Sequence, residues 1–421
     1  MRKTLLVLIL TIVCTGLLFA GGTENKINSG AGYARFPSKA TECKKPDAMF
    51  YNPAGTAFLK DGLYVGAGNQ FLYKKYSDKF NGETYSSDIP TYLYPDLTLV
   101  WKKNQTAIFA GFTVAAGGGE LEYDEGNAMT KAALGLMAQK MHNPALANVD
   151  HSLNVYSVLY DNIIGISHQF WDDHLSIAAA VRILYGSKNI KIKSDDPQPY
   201  WGNQRSMFET ESSGFGTGGI FSIHYKPVET FDIALTYHTE SIIDYEYKKA
   251  KVLGSKLSDL DDTTLAVLPD DFKVSKGDHF SYVLPAYLGG GIGWQIIPQL
   301  YAAVGFNYYF NDLADYELDD AWEINFAAEY RFNKMLAVSL GGFYTDIGSR
   351  NKEGGNDVTN PYLDSFTYCG GFELTFFDDL TIDVGGFYVQ YFGETFEFAN
   401  QDVKLNKKIF EGAISVTYRF F

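Results

Sequence analysis

The chain has 421 residues but only 3 cysteines and 7 histidines. Cys14, Cys43 and Cys369 form no CxxC and no metal-ligand spacing, which excludes a thiol-rich redox centre or a zinc module. Cys43 and Cys369 could pair in an oxidising compartment, but two cysteines so far apart do not establish it. Basic residues are in deficit, 35 against 50 acidic, for a formal net charge of −15. A phosphate-binding face must be basic, so no nucleic-acid partner is expected. Proline is scarce, at 13, so this is no Pro-rich disordered chain. No GxSxG is present and no Ser–His pair can be placed together. No catalytic residue, metal ligand or cofactor site is therefore assigned. Beyond residue 22 no run of roughly 20 apolar residues occurs, so no helical span is expected. The closest stretch, Leu288 to Phe306, is broken by Gln295, Pro298 and Gln299. If this chain crosses a membrane, it must do so as a closed barrel, since only helices and barrels satisfy their backbone groups in lipid.

What is abundant fits that route. Aromatic residues reach 16%, with 30 Tyr and 31 Phe, beside 41 Gly. Strands with aromatic girdles and tight turns have this composition. The first residues are a separate case. Arg2 and Lys3 precede an apolar core from Thr4 to Phe19, and Ala20-Gly21-Gly22 offers small residues for cleavage. This is the secretory pattern, so residues 1–22 are expected to be a signal peptide. A lipoprotein would use Cys14, but Val13 before it is bulky.

From Gly62 onward one unit repeats: a strand, a turn, a strand. In Trp322 to Phe332, residues Trp322, Ile324, Phe326, Ala328, Tyr330 and Phe332 take one face. Glu323, Asn325, Ala327, Glu329 and Arg331 take the other, giving one apolar and one wet face. Fourteen strands are expected, at 62–76, 91–102, 106–118, 152–169, 174–192, 213–226, 231–248, 281–298, 300–311, 321–332, 335–347, 364–377, 380–395 and 408–421. Their connections alternate in length. The short ones include Lys103-Asn104-Gln105, Pro298-Gln299 and Asp378-Asp379; the long ones are 77–90, 119–151, 193–212, 249–280, 312–320, 348–363 and 396–407. Outer-membrane barrels have short periplasmic turns and longer outer loops. A secreted all-β protein of several domains is the competing architecture, but no linker or composition shift divides the chain. The expectation is an all-β, transmembrane antiparallel barrel over 62–421, and residues 23–61 as an N-terminal plug in its lumen.

Two stretches in that segment carry a family resemblance. Asn28-Ser29-Gly30-Ala31-Gly32-Tyr33-Ala34-Arg35 and Asp47-Ala48-Met49-Phe50-Tyr51-Asn52-Pro53-Ala54-Gly55 resemble the start of the FadL/TodX family of outer-membrane hydrophobic-compound transporters. Tyr225-Lys226-Pro227 with Leu235 to Glu240, and Phe280 to Pro285, look similar to later stretches of that family. The resemblance runs along the mature chain in outline; no one tripeptide is diagnostic. It implies a fourteen-stranded barrel, an N-terminal hatch held by Asn52, Pro53, Ala54 and Gly55, and passive uptake of long-chain fatty acids or aromatic hydrocarbons. Ligand would be captured at the outer loops and leave sideways through the wall. The implied setting is the bacterial outer membrane, with bilayer, lipopolysaccharide and a hydrophobic ligand such as a fatty acid as partners, and a monomer. Locally, Asn52 to Gly55 also reads as a simple turn into the first strand.

Two further features are candidates for ligand contact. Met129, Ala132, Ala133, Leu136, Met137 and Met141 fall near helical spacing and make an apolar stripe in a long connection. Such a stripe suits either a ligand groove or packing on neighbouring loops. Gly117, Gly118 and Gly119 end the expected third strand, where glycine permits a kink in the wall or a flexible strand end. By alternation His224, His238, Arg182 and Arg331 face the lumen. A structural or adhesive barrel acting through its loops is the alternative function; a lipase-type barrel and a hydrophilic porin are weaker ones.

Overall fold

Alternation along each strand decides which way the sheet curls. In Ala321–Arg331 the residues Ala321, Glu323, Asn325, Ala327 and Glu329 are buried, while Ile324 and Phe326 are about half exposed. The same pattern holds strand after strand, so the sheet closes with its polar face inward and its apolar face outward. The computed structural model describes residues 30–171, 174–199, 203–268, 272–314, 319–348, 362–398 and 401–421. The expected signal peptide, 1–22, lies outside the described residues.

The barrel strands are β1 Gly62–Phe80, β2 Glu83–Ser87 with Thr91–Lys103, β3 Thr106–Tyr123, β4 His151–Phe170 and β5 Leu175–Gln198. Next come β6 Gln204–Val228, β7 Phe231–His238 with Ser241–Val252, and β8 His279–Leu284 with Tyr287–Ile297. Then follow β9 Leu300–Tyr309, β10 Ala321–Arg331, β11 Leu336–Asp346, β12 Ser365–Phe376, β13 Leu380–Tyr391 with Glu394–Phe398, and β14 Gln401–Phe420. Neighbours in sequence pair antiparallel, and β1 pairs with β14 from Leu63↔Phe420 to Lys79↔Lys404, which closes the barrel. The fourteen expected strands are the ones found.

Their outer ends differ from expectation. Residues 77–90 do not form a loop: Asn81 and Gly82, both at positive φ, make a two-residue turn and Phe80 pairs with Glu83. An Asn-Gly pair has this hairpin preference because both central residues take left-handed conformations. The connections at 193–212 and 396–407 likewise shrink, because β5, β6, β13 and β14 extend through most of them. Gly117 to Gly119 do not end the third strand, which continues to Tyr123. Cys43 and Cys369 are both buried and form no disulfide, so no covalent tie joins the N-terminal segment to the wall.

The outward face is a belt with aromatic edges. Trp101, Trp294, Tyr330, Phe332, Tyr418 and Phe420 are exposed near the short-turn end. Tyr73, Tyr92, Phe215, Phe392 and Phe410 are exposed toward the long-loop end, and aliphatics such as Ile164, Ile292, Val304 and Leu340 lie between. Aliphatic belt and aromatic girdles are the signature of a barrel in a bilayer.

Val304 is on this belt. Val304→Arg is expected to lower unfolding free energy in phospholipid vesicles by roughly 2–4 kcal/mol, as for a cation near the bilayer midplane. Val304→Leu should cost less than about 1.5 kcal/mol. Denaturant titration checks both, and equal effects would place Val304 outside the lipid belt.

Candidate functional site

The N-terminal segment carries groups that no free tail would bury. It contains α1 Ala31–Arg35, α2 Ala48–Tyr51 and a 3-10 turn Pro53–Phe58. Arg35 is fully buried. Its guanidinium meets Asp383 of β13 at 2.7 Å, Glu329 of β10 at 2.6 Å and Glu373 of β12 at 2.8 Å, and donates to Ser339 of β11. Lys45 adds contacts of 2.6 Å to Asp383 and 3.2 Å to Glu373. Burial and the nearby Arg35 both disfavour a charged Lys45, but Asp383, Glu373 and Glu42 outweigh them and raise its ammonium above the ordinary lysine value. Burial also opposes the Glu42 carboxylate, yet Lys39 and Lys45 hold it below the usual carboxylate range. The close fit needs glycine on the wall. A Cβ on Gly371 would lie 2.7 Å from the Arg35 Cβ, and one on Gly385 would lie 2.6 Å from the Ala31 carbonyl oxygen.

Asn52 to Gly55 sit on the opposite wall. The Asn52 Nδ2 donates to the Ala40 carbonyl at 2.8 Å and lies 2.8 Å from His224 Nδ1. That amide makes Nδ1 an acceptor, so His224 Nε2–H donates to Asp232 at 2.9 Å. The Ala54 N–H donates to Ser222 at 2.8 Å, and Ser176 donates to the Ala54 carbonyl at 2.5 Å. Pro53 opens the 3-10 turn, and a Cβ on Gly55 would lie 2.0 Å from Cys43 Sγ. Burial pushes the Cys43 thiol up, so it stays protonated 3.3 Å from the same histidine nitrogen. His238 and Arg182 are also buried and inward, and Arg182 pairs with Asp161 at 2.6 Å. Arg331 is at the short-turn end, 2.6 Å from Glu373. Sequence reasoning missed a cavity of about 560 Å³ at that end, lined by Lys44, Lys45, Phe58, Asp232, Tyr301 and Arg419.

The long-loop end is covered by α3, Ala128–Lys140. Asn127 and Thr130 form its capping box, and the Ala128 N–H donates to Asp78 of β1 at 2.8 Å. Met129, Ala133 and Met137 are buried, with Ala132, Leu136 and Met141 half-buried. Leu134 and Ala138, outside the expected stripe, are buried too. The helix is apolar on more than one side because it packs on strand ends below and on Leu253, Leu268 and Phe272 of the β7–β8 connection. Between α3 and the N-terminal segment lie apolar wall residues, among them Val114, Ala116, Leu159, Leu184 and Ile243.

At that level the wall is interrupted. The β2–β3 ladder covers only Lys103↔Thr106 to Leu97↔Phe112. Beyond it, Thr91 and Tyr94 to Asp96 remain paired with β1 on either side of a register shift at Gln70/Leu72, while β3 pairs with β4 across register shifts at Val114/Ala116 and Ala116/Gly119. Gly117 and Gly119 have φ of 84° and 81°. At Gly117 a Cβ would lie 2.4 Å from the Ser157 carbonyl oxygen, so only glycine fits there. Tyr94 stands on the lumen side of the break, its hydroxyl 3.5 Å from the Val114 carbonyl. Tyr92 and Leu93 flank it on the lipid side, 63% and 75% exposed.

No family model and no curated protein matches the chain. Solved structures do. A FadL homologue of Pseudomonas aeruginosa superposes with a TM-score of 0.69 at 15% identity, over 96% of this chain and 100% of that one. The Pseudomonas putida toluene transporter TodX gives 0.63 at 15% identity, over 96% and 100%. The Ralstonia pickettii toluene transporter TbuX gives 0.61 at 14%, over 89% and 94%. At these identities the likeness is one of fold.

Removing the Arg35 guanidinium leaves three buried carboxylates short of a partner, a loss of about 3–5 kcal/mol by analogy with other broken buried pairs. Arg35→Met is expected to raise the labelling rate of Cys43 and Cys369 by a membrane-impermeant maleimide at least tenfold over wild type. An unchanged rate would mean that the cage does not hold the segment in place.

Proposed function

We propose that this chain, which has the fold of the FadL and TodX barrels, is a passive transporter of hydrophobic compounds in a bacterial outer membrane. The observation that carries the reading is the break between β2 and β3, which has lipid-facing residues on one side and apolar lumen side chains on the other. A hydrophobic molecule gains nothing by leaving such a barrel through water, and gains its transfer free energy by leaving sideways into hydrocarbon. Residues Gly30 to Leu59 act as the plug that stops the lumen from becoming a water-filled pore. Asn52 to Gly55 hold that plug to β5 and β6, Thr56 holds it to β4, and Arg35 holds it to β10, β12 and β13.

Capture belongs to the long-loop end. Half-buried Ala132 and Met141 border the cluster under α3, with half-buried Leu136 on the same helix, and a flexible methionine adapts to varied apolar shapes. Gly117, Gly118 and Gly119 form the kink that opens the wall. The structural neighbours named as toluene transporters support aromatic hydrocarbons as ligands, and the proposed range extends to long-chain fatty acids. The chain is exported by cleavage of residues 1–22 and works as a monomer, its long-loop end among lipopolysaccharide.

Detergent-purified, refolded protein incubated with a mixture of fatty acids and aromatic hydrocarbons should retain members of that mixture, read by mass spectrometry of organic extracts. Leu136→Glu with Met141→Glu should reduce retention severalfold. Retention no greater than that of an unrelated barrel would contradict the transporter reading and favour a structural or adhesive barrel.

A further inference from the structure

The strands that close the barrel, β1 and β14, point alternate side chains out of it. Their register sets Tyr73 opposite Phe410, Lys75 opposite Lys408, Ser77 opposite Asn406 and Lys79 opposite Lys404. These rows are outward, since Tyr76, Asp78, Leu405 and Ile409 between them are buried while all four lysines are exposed. Two pairs of lysines thus stand face to face across the closing seam. Directly opposite side chains have Cβ atoms about 4.5–5.5 Å apart, and like charges there repel. Among the described residues none of the four lysines makes an ion pair or a side-chain hydrogen bond.

The flanking strands do not relieve this repulsion. Thr84 of β2 lies opposite Lys79, and on β13 Thr395 lies opposite Lys404 and Gln390 opposite Lys408. Acidic residues come one row farther out, Asp402 with Glu397 opposite it in the ladder. Elsewhere toward the long-loop end the outward rows mix signs. Lys191 of β5 lies opposite Glu209 of β6, and Lys249 of β7 meets Glu209 at 2.8 Å and Glu211 at 3.3 Å. In a chain of net charge −15, four lysines gathered without a counter-charge call for an anion from outside. Their height says where it comes from. The ring of Tyr73 stands 6.5 Å from Tyr92 and 6.4 Å from Phe410, an exposed aromatic group one row nearer the lipid belt. Aromatic girdles sit at the head-group level, so the lysines stand among the phosphates of the leaflet at the long-loop end.

We propose that Lys75, Lys79, Lys404 and Lys408 form a docking site for a lipid head group with two phosphates, the bisphosphorylated disaccharide of lipopolysaccharide, seated across the β1–β14 seam. This rests on the outer-membrane setting proposed above and gives the lipid a defined place on the barrel. Each phosphate answers one lysine pair through charge-assisted hydrogen bonds, which are roughly twice as strong as neutral ones. The two pairs are four residues apart along the strands, about 13 Å at the usual rise per residue. Phosphates at opposite ends of a disaccharide reach both pairs, whereas a glycerophospholipid with one phosphate fills only one. The acyl chains then descend over Tyr73, Tyr92 and Phe410. Bound lipid turns repulsion across the seam into shared attraction to one anion, and so holds the first strand to the last.

The test titrates diphosphoryl lipid A, monophosphoryl lipid A and phosphatidylglycerol into the refolded protein in detergent and counts bound lipid by native mass spectrometry. Wild type should bind diphosphoryl lipid A at least tenfold more tightly than either other probe. Lys75→Gln, Lys79→Gln, Lys404→Gln and Lys408→Gln together should lower that affinity at least tenfold and flatten its salt dependence, and arginine at the same four positions should keep it. A control with glutamine at Lys191, Lys193, Lys249 and Lys251 makes the same change in net charge and should stay within twofold of wild type. If the fourfold glutamine variant fails to fold, Lys75→Gln with Lys408→Gln alone should lower the affinity severalfold. Undiminished affinity in the glutamine variants, an equal loss in the control, or equal binding of phosphatidylglycerol and diphosphoryl lipid A by wild type overturns the assignment. Oleate retention, measured on the same proteins, should not change with the lysines. Its absence from wild type while lipid A still binds overturns the transporter reading alone.

Discussion

In hydrocarbon every backbone N–H and C=O must find a partner within the protein, and the structure follows from that constraint. It forces the sheet to close, β1 onto β14, so that no edge faces lipid. It also gives the break between β2 and β3 its meaning. Between Thr91–Asp96 and 113–118 the backbone groups have no cross-strand partners from each other, and the Gly118 carbonyl takes side-chain donors instead. Such an arrangement persists only where neighbouring groups are placed to sustain it. Here they are Lys74, Thr91 and Tyr94, with Gly117 in a conformation that only glycine adopts without strain.

The lumen meets the same requirement by different means. Arg35 and Lys45 face Glu329, Glu373 and Asp383, so that each buried charge has an opposite neighbour. Burying five charges is favourable only because they are mutually satisfied; removing one partner strands the others. On the far wall, neutral contacts do the same work through Asn52, Ala54 and Thr56, with the His224 tautomer set by Asp232. Above, Asp78 receives the first amide of α3, where a carboxylate complements the helix dipole. Apolar wall residues such as Val114, Leu159 and Leu184 lie between these anchorages, and the break in the wall lies at their level.

The strands were legible because their signal is local. A residue such as Ile324 or Phe326 announces its outward face by its neighbours alone, and the alternation of short and long connections orients the barrel. Outer strand ends were less legible, because above the lipid belt the outward face no longer needs to be apolar and the alternation inverts, as in Lys188 to Ser194, where Ile190 and Ile192 are buried between lysines. Asn81-Gly82 did carry a hairpin signal, which the surrounding polar residues obscured. For α3 the helix was readable, but its burial on several sides was not, since Leu134 and Ala138 meet residues more than 100 positions away. The same distance in sequence hides the Arg35 cage and the Lys74–Gly118 contact: Arg35 meets Glu329, Glu373 and Asp383 only after closure, and no spacing rule links them. The glycines at 117–119 were visible as a possible kink. That the strand runs on past them to Tyr123 follows from pairing with β4, which local sequence does not encode.

The most direct test of the account locates the ligand. A long-chain fatty acid carrying a diazirine in its tail, photolysed in protein reconstituted in vesicles, labels whatever side chains it lies against. Peptide mass spectrometry should place saturable adducts within 91–96 and 113–118, at the break between β2 and β3, and competition with unlabelled fatty acid should remove them. Adducts spread around the outward belt, or confined to the loops and insensitive to competition, would contradict the claim that the wall opens there.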